Sequence, residues 1–238
     1  MIIFHSIRSA IMWLIGVVYL TIFLITLIIL TYIMKRDQYD PILQAMDRFL
    51  FKLLFIRVKT KGVEKVDKNQ VYVVMGNHVS MFDIPLLFGF IPVRFNGIEA
   101  AEHFKAPIYG LALKRYGNIP INRKNARESF KTILQGADMV KKGTSIVILP
   151  EGTRSLKPQM GEFKKFPFIL AKKAEAPILP FGFSGLWKIN NKTSWLIKPG
   201  KVTMKFGEPI PARVVKEKSI EELMELTRKK IEELITEP

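Results

Sequence analysis

The sequence predicts an α/β domain, a sheet with helices packed on it, held behind N-terminal membrane-associated helices. Three observations carry that expectation. Short β-branched runs end in turns rich in Gly and Pro and alternate with stretches of helical period. One long charge-free stretch lies near the N-terminus, and the positive charge accumulates only after it.

Composition narrows the class further. The chain has 238 residues and a formal net charge of +16, yet is 48% hydrophobic with a mean hydropathy of +0.15. That length holds one sizeable domain, or one plus an accessory segment. The 17 Phe and 3 Trp exclude a disordered basic tail. A single long apolar stretch excludes a polytopic transporter. Zero Cys excludes a disulfide-stapled fold, a thiolate nucleophile and a Cys-ligated metal. The expected compartment is a reducing one.

Ala10 to Met34 is the charge-free stretch. As a helix it would be about 37 Å long, enough to cross a hydrocarbon core with some tilt. Trp13 and Tyr32 sit near its ends, where amphipathic rings prefer the interface, and Lys35 and Arg36 follow at once. It is too long for the apolar region of a signal peptide, and no A-x-A cleavage pattern follows. A retained membrane segment is expected. After Asp40, Pro41 suits a helix's first turn. From Ile42 to Val58, apolar residues Leu43, Met46, Leu50, Leu53, Leu54 and Val58 recur at helical spacing, interrupted by Asp47, Arg48, Lys52 and Arg57. This reads as an amphipathic helix on the membrane, or as a soluble helix covering the core. Residues 1–58 are therefore assigned to a membrane-anchoring helical segment and residues 59–238 to the α/β domain.

Four strands are expected: Val71 to Met75, Thr144 to Leu149, Pro177 to Phe181 and Lys201 to Phe206, the last alternating and so half exposed. A helix is expected over Asn125 to Lys142. Another is expected over Ser219 to Thr236, capped by the Ser219–Glu222 box and burying Leu223, Leu226, Ile231 and Leu234. There is no internal repeat, low-complexity tract or long linker. Residues 1–40 carry a net charge of only +1, so the remainder carries +15. No helix-turn-helix, RNP aromatic set or zinc-ligand pattern supports nucleic acid as the partner of that charge. Anionic membrane phospholipid fits it better.

Two motifs carry chemistry. The first is Asn77-His78-Val-Ser80-Met-Phe-Asp83, directly after a strand, where α/β proteins place ligand-handling residues. His78 and Asp83 would lie about 140° apart on one ideal helix. They meet if His78 is in the turn and Asp83 opens the helix. Asp83 would then accept the Nδ1–H of His78 and leave Nε2 free to take a proton. With no Cys, the nucleophile is a substrate hydroxyl, unless it is Ser80. Taken singly, a His at a strand end is more often a satisfied structural residue. The second motif is Pro150-Glu151-Gly152-Thr153-Arg154-Ser155, also after a strand. Gly152 permits positive φ, Arg154 offers a planar fork to an anion, and Thr153 and Ser155 offer hydroxyls. The alternative is a turn with a surface ion pair between Glu151 and Arg154.

Together, NHxSxxD and PEGTRS resemble the PlsC-like 1-acylglycerol-3-phosphate acyltransferases of the glycerophospholipid acyltransferase family, over residues 60 to 210. Two further blocks agree: Gly117 to Arg123 is similar to the family's second block, and Ala176 to Pro180 to its fourth. The resemblance implies a mostly parallel sheet flanked by helices and held on the membrane by N-terminal helices. It implies acyl transfer from acyl-CoA or acyl carrier protein to the sn-2 hydroxyl of 1-acylglycerol 3-phosphate, with His78 and Asp83 catalytic. Asn122, Arg123, Glu151, Gly152, Thr153 and Arg154 would bind the acceptor, Glu151 by orienting Arg154 or by meeting the glycerol. No cofactor or metal is expected, because a thioester is already activated. The expected location is the cytoplasmic face of the inner membrane.

Three departures stand out. Asn122 replaces the Asp that commonly precedes the block's Arg. Lys164-Lys165-Phe166-Pro167 replaces a Lys-Lys/Arg-Gly-Ala pattern. Many members carry Lys near Ala101, and this chain does not. Alternative acceptors are another lysophospholipid or glycerol 3-phosphate. A serine lipase through Ser80 lacks the G-x-S-x-G elbow. A non-catalytic lipid-binding protein is the remaining rival.

Overall fold

A computed structural model describes residues 2–236. Residues 1, 237 and 238, which fall within the expected anchor and domain bounds, lie outside the described residues. The elements in chain order are α1 (Ile2–Ile33), α2 (Arg36–Leu53), β1 (Ile56–Lys61), β2 (Val73–Gly76), α3 (Asp83–Phe90), β3 (Phe95–Ala100) and α4 (Pro107–Tyr116). They continue with β4 (Ile119–Ile121), α5 (Ala126–Lys141), β5 (Ser145–Val147), α6 (Phe166–Ala174), β6 (Ile178–Ser184), α7 (Leu186–Ile189), β7 (Gly200–Phe206), α8 (Ala212–Glu217) and α9 (Ile220–Leu234).

The seven strands form one sheet in the order β1-β7-β6-β2-β5-β3-β4. Every neighbouring pair is parallel except β6 with β7. The expected mostly parallel α/β architecture is therefore what the chain adopts. Strand alternation sends Val74, Val147, Phe181 and Phe183 to one face of the sheet, where α1, α2, α3 and α4 pack. It sends Val73, Met75, Ile146 and Ile178 to the other, where α5, α6, α8 and α9 pack. The four expected strands are present with shifted ends, and β7 shows the expected half-exposed alternation. Asn125 caps α5 by accepting the Arg127 and Glu128 N–H groups, and Ser219 and Glu222 close the box that starts α9.

The N-terminal region differs from the sequence reading in two respects. Pro41 lies in the second turn of α2, not the first, because the helix begins at Arg36. Gln38 Oε1 accepts the Lys35 N–H at 3.0 Å and caps that earlier start. The helix also ends at Leu53. Phe55 adopts a left-handed φ of 54°, and residues 56–58 turn into β1 beside β7.

Among the described residues α1 is the one helix long and apolar enough to cross a membrane by length and composition. It does not stand off the domain. The Ile197 N–H donates to Ser9 Oγ at 3.1 Å, Trp13 Nε1 donates to the Trp195 carbonyl at 2.7 Å, Tyr19 donates to the Met46 carbonyl, and Arg115 Nη2 donates to the Thr31 carbonyl at 2.7 Å. Those contacts run over about 33 Å of helix. The indole N–H of Trp13 is thus spent on the domain, whereas Tyr32 stays exposed beneath the Arg115 guanidinium. Met12, Phe23, Leu24 and Leu27 are buried, while Phe4, Ile7, Leu14, Val18, Ile25 and Ile29 form an exposed apolar row.

Candidate active site

Parallel pairing of β2 with β5 explains how two motifs far apart in sequence meet. Val74 lies opposite Val147, so His78 and Glu151, each four residues beyond that pair, emerge side by side. Asn77 fixes the other flank. Its side-chain amide donates to the Phe183 carbonyl at 3.1 Å, and its Oδ1 accepts the Phe183 N–H at 2.7 Å. Gly76 must be glycine, because an added Cβ would lie 2.2 Å from the Phe181 ring.

His78 occupies the turn and Asp83 opens α3, the arrangement their spacing suggests. Asp83 is fully buried. Its Oδ2 accepts from His78 Nδ1 at 2.5 Å and from the Val79 N–H at 2.8 Å, and its Oδ1 accepts the Ser80 N–H at 3.2 Å. Burial pushes the Asp83 carboxyl up, and the His78 ring and the two N–H groups pull it back. With Nδ1–H committed to Asp83, Nε2 is the basic nitrogen. The ring is 20% exposed and lines an open cavity. A histidine held this way can take a proton from a bound hydroxyl and return it to a leaving group.

Glu151 departs from the sequence reading. Among the described residues no ion pair joins it to Arg154. The carboxylate is buried, with Oε1 accepting the His78 N–H at 2.7 Å and Oε2 accepting the Gly161 N–H at 2.7 Å. Burial raises its pKa, and those two N–H groups lower it. The Ser155 N–H donates to the His78 carbonyl at 2.8 Å. The second motif therefore grips the backbone of His78 at both its N–H and its C=O. Ser155 Oγ turns away, to the Lys157 carbonyl at 2.8 Å. Gly152 takes a left-handed φ of 71°, which the turn requires and which a side chain would strain. Ser80 is buried, with its hydroxyl 3.3 Å from Asn190 Oδ1. That removes it as an exposed nucleophile.

A cavity of about 400 Å³ opens in front of His78 and is also lined by Arg123, Gly152 and Lys164. Lys164, named in the sequence only as part of a departure, is held there by its backbone N–H donating to the Pro150 carbonyl at 2.8 Å. Asn122, Thr153 and Arg154 do not line this cavity. Asn122 donates to Glu128 Oε2 at 2.8 Å, Thr153 is exposed and accepts from Lys192 Nζ at 3.0 Å, and Arg154 is half-buried on the adjoining turn. A second, apolar cavity of about 290 Å³ lies against α1 and shares Ile84, Phe88, Glu99 and Asn118 with the first. Among the described residues no group of three or more His, Cys, Asp or Glu side chains is arranged to hold a metal.

A histidine–aspartate pair, cations and an adjoining apolar cavity thus lie together at the carboxyl end of a parallel sheet. Residues 57–184 match the family model described as Acyltransferase, and the chain belongs to that family. The chain is 31% identical over 201 residues to a 1-acyl-sn-glycerol-3-phosphate acyltransferase of Chlamydomonas reinhardtii, covering 81% of this chain and 59% of that protein. It is 30% identical over 183 residues to a chloroplastic 1-acyl-sn-glycerol-3-phosphate acyltransferase of Arabidopsis thaliana, covering 72% and 51%. The chain thus spans little more than half the length of these curated relatives. The crystal structure of the 1-acyl-sn-glycerophosphate acyltransferase PlsC of Thermotoga maritima superposes with a TM-score of 0.79 at 26% identity, over 98% of this chain and 94% of that one.

Proposed function

We propose that this protein transfers a fatty acyl group from a thioester to the sn-2 hydroxyl of 1-acylglycerol 3-phosphate, forming phosphatidic acid. The observation that carries the reading is the His78–Asp83 pair at 2.5 Å, facing a cavity that also presents Arg123. His78 Nε2 removes the hydroxyl proton as the oxygen attacks the thioester carbonyl. The carbon–sulfur bond then breaks, and the protonated imidazole returns its proton to the thiolate. Asp83 holds the tautomer and stabilises the imidazolium. General-base assistance of this kind contributes roughly 10² to 10⁴-fold. Arg123, Lys164 and the guanidinium of Arg154 on the neighbouring turn take the acceptor phosphate, with Gly152 and Thr153 at its edge. The apolar cavity beside α1 takes hydrocarbon. The thioester is activated by its own chemistry, so the reaction calls on neither metal nor cofactor.

The attachment belongs to the same reading. Because α1 is fastened to the domain from Ser9 to Thr31, we place α1 and α2 flat in the cytoplasmic leaflet of the inner membrane, with the exposed row of α1 in hydrocarbon. A lysolipid then reaches His78 from the leaflet that holds it.

His78→Ala tests the chemistry. Release of thiol from acyl-CoA in the presence of lysophosphatidate falls to background while the protein stays folded by circular dichroism. Wild-type turnover in that variant sinks the mechanism. For the attachment, an N-terminal tag in sealed inside-out vesicles is digested by added protease. Protection of the tag would mean that α1 crosses the bilayer.

A further inference from the structure

The outer face of α5 has no role in the site, yet it is built unlike an ordinary solvated helix face. Its inner face buries Ile133, Gly136, Ala137 and Val140. Outward, Phe130 and Leu134 stand one turn apart and are 48% and 46% exposed. Single exposed apolar side chains need no explanation, but these two form one patch. Arg127 and Lys131 flank it on the same face, and Arg123 and Lys124 precede it in the turn. None of these four cations has an ion-pair partner among the described residues, whereas Lys142 at the far end of the same helix pairs with Asp138 at 2.7 Å. Residues 123–131 hold four cations and one acid, Glu128, whose carboxylate is occupied by the amides of Asn122 and Asn125.

Position decides what can cover this patch. The helix α5 packs in the core on one face of the sheet, while α1 and α2 pack on the opposite face. A bilayer that receives the exposed row of α1 does not reach it. A second copy of the chain would set cations against cations. The patch does border the cavity in front of His78, because Arg123 and Ser129, the residue before Phe130, both line that cavity.

We propose that the outer face of α5 docks an acidic protein that carries the acyl thioester, so that the donor enters the cavity from the rim at Arg123. This rests on the acyl-transfer reading above and names its donor. A free acyl-CoA would satisfy cations with its phosphates but would gain nothing from an outward-facing Phe and Leu. An acidic partner with an apolar side chain at its contact satisfies both.

Acyl carrier protein and acyl-CoA, each charged with the same chain, are compared as donors at saturating lysophosphatidate. Two double variants are used, Arg127→Glu with Lys131→Glu, and Phe130→Ala with Leu134→Ala. Each lowers kcat/KM for the acyl carrier protein by about 10-fold or more and leaves that for acyl-CoA within about twofold, as loss of steering charge or contact at a protein interface requires. Raising salt depresses the wild-type rate with acyl carrier protein and has less effect on the charge-reversed variant. Unchanged kcat/KM with acyl carrier protein, equal losses with both donors, loss of liposome binding in the variants, or product from acyl-CoA alone overturns the docking surface. Product from neither donor overturns the acyl-transfer reading, and the docking surface with it.

Discussion

Glu151→Gln separates a residue that positions the histidine from one that touches substrate. In the folded chain both carboxylate oxygens are committed, one to the His78 N–H and one to the Gly161 N–H, each at 2.7 Å. Glutamine keeps one acceptor and turns the other position into an NH2 that faces an N–H. A hydrogen bond to a charged group is worth about 1.5–3 kcal/mol, and a buried donor left without a partner costs about 1–3 kcal/mol. With one bond kept in weaker, neutral form, the expected destabilisation is about 2–4 kcal/mol. For a chain of this length each kcal/mol moves Tm by about 2–4 °C, so a fall of roughly 5–15 °C follows. The kinetic effect comes through the backbone of His78. A shift of the imidazole approaching 1 Å costs about 10²-fold. In detergent micelles at a temperature where the variant is folded, kcat should fall by about 10 to 100-fold. KM for lysophosphatidate should stay within about threefold. Glu151→Asp should not rescue, because the shorter side chain cannot span both N–H groups. Wild-type kcat at wild-type Tm would refute the reasoning. A rise in acceptor KM alone would put the carboxylate on the glycerol instead.

Asp83→Asn leaves the size of the side chain intact but offers an NH2 where three donors converge, so kcat should fall by roughly 10² to 10⁴-fold. Steady-state rates across pH, with folding followed by circular dichroism, check this, and a change in acceptor KM without one in kcat would contradict it. Asp47 is a buried carboxyl of α2 whose Oδ2 has no partner among the described residues, and burial raises its pKa well above the ordinary range. Such an acid contributes stability that is complete below its unfolded pKa and lost as pH rises through the folded one, at about 1.4 kcal/mol for each pH unit that separates the two. Asp47→Asn should therefore raise Tm at neutral pH and lose that advantage in acid. Equal Tm differences at both pH values would rule the idea out. Washing membranes with high salt should weaken binding to anionic vesicles without releasing the protein, because the row of α1 holds by apolar burial, and release by salt alone would contradict the attachment.

What the sequence disclosed divides along local and long-range lines. The helical stretch of α5, the capping box of α9 and the His78–Asp83 spacing are written within a few residues, and each is present. Three strands were not legible, each for a tertiary reason. β1 follows a helical run whose period continues past its end, and only the left-handed turn at Phe55 breaks it. β3 contains Asn, Gly and Glu, poor strand formers held by their neighbours. Asn96 Nδ2 donates to the Tyr116 carbonyl at 2.9 Å, and the Gly97 N–H donates to Asn118 Oδ1 at 2.8 Å. β4 is three residues with a central Pro, tolerable because it is an edge strand. The site divides the same way. Glu151 reads locally as a surface partner for Arg154, and its actual bond to His78 exists only because β2 and β5 pair in one register. Lys164 reaches the cavity through a backbone bond to Pro150 that no motif spells out.

The same register also changes how the chain's opposed properties, apolar and basic, are understood. Along the sequence they separate end to end, with the charge-free stretch first and nearly all the net charge after residue 40. In space they separate across the sheet. The exposed row of α1 looks out from the face that Val74 and Phe181 support, and the outward cations of α5 look out from the face that Val73 and Ile146 support. A catalyst joining a membrane-held acceptor to a water-borne donor needs a centre both can reach. The strand ends of a parallel sheet provide one, since they open between its two helical layers. His78 lies there, in a cavity walled by Ile84 and Phe88 from one layer and by Ser129 and Phe166 from the other. In the proposed reaction, placing the histidine in the turn after β2, instead of on a helix in either layer, lets one imidazole serve both substrates.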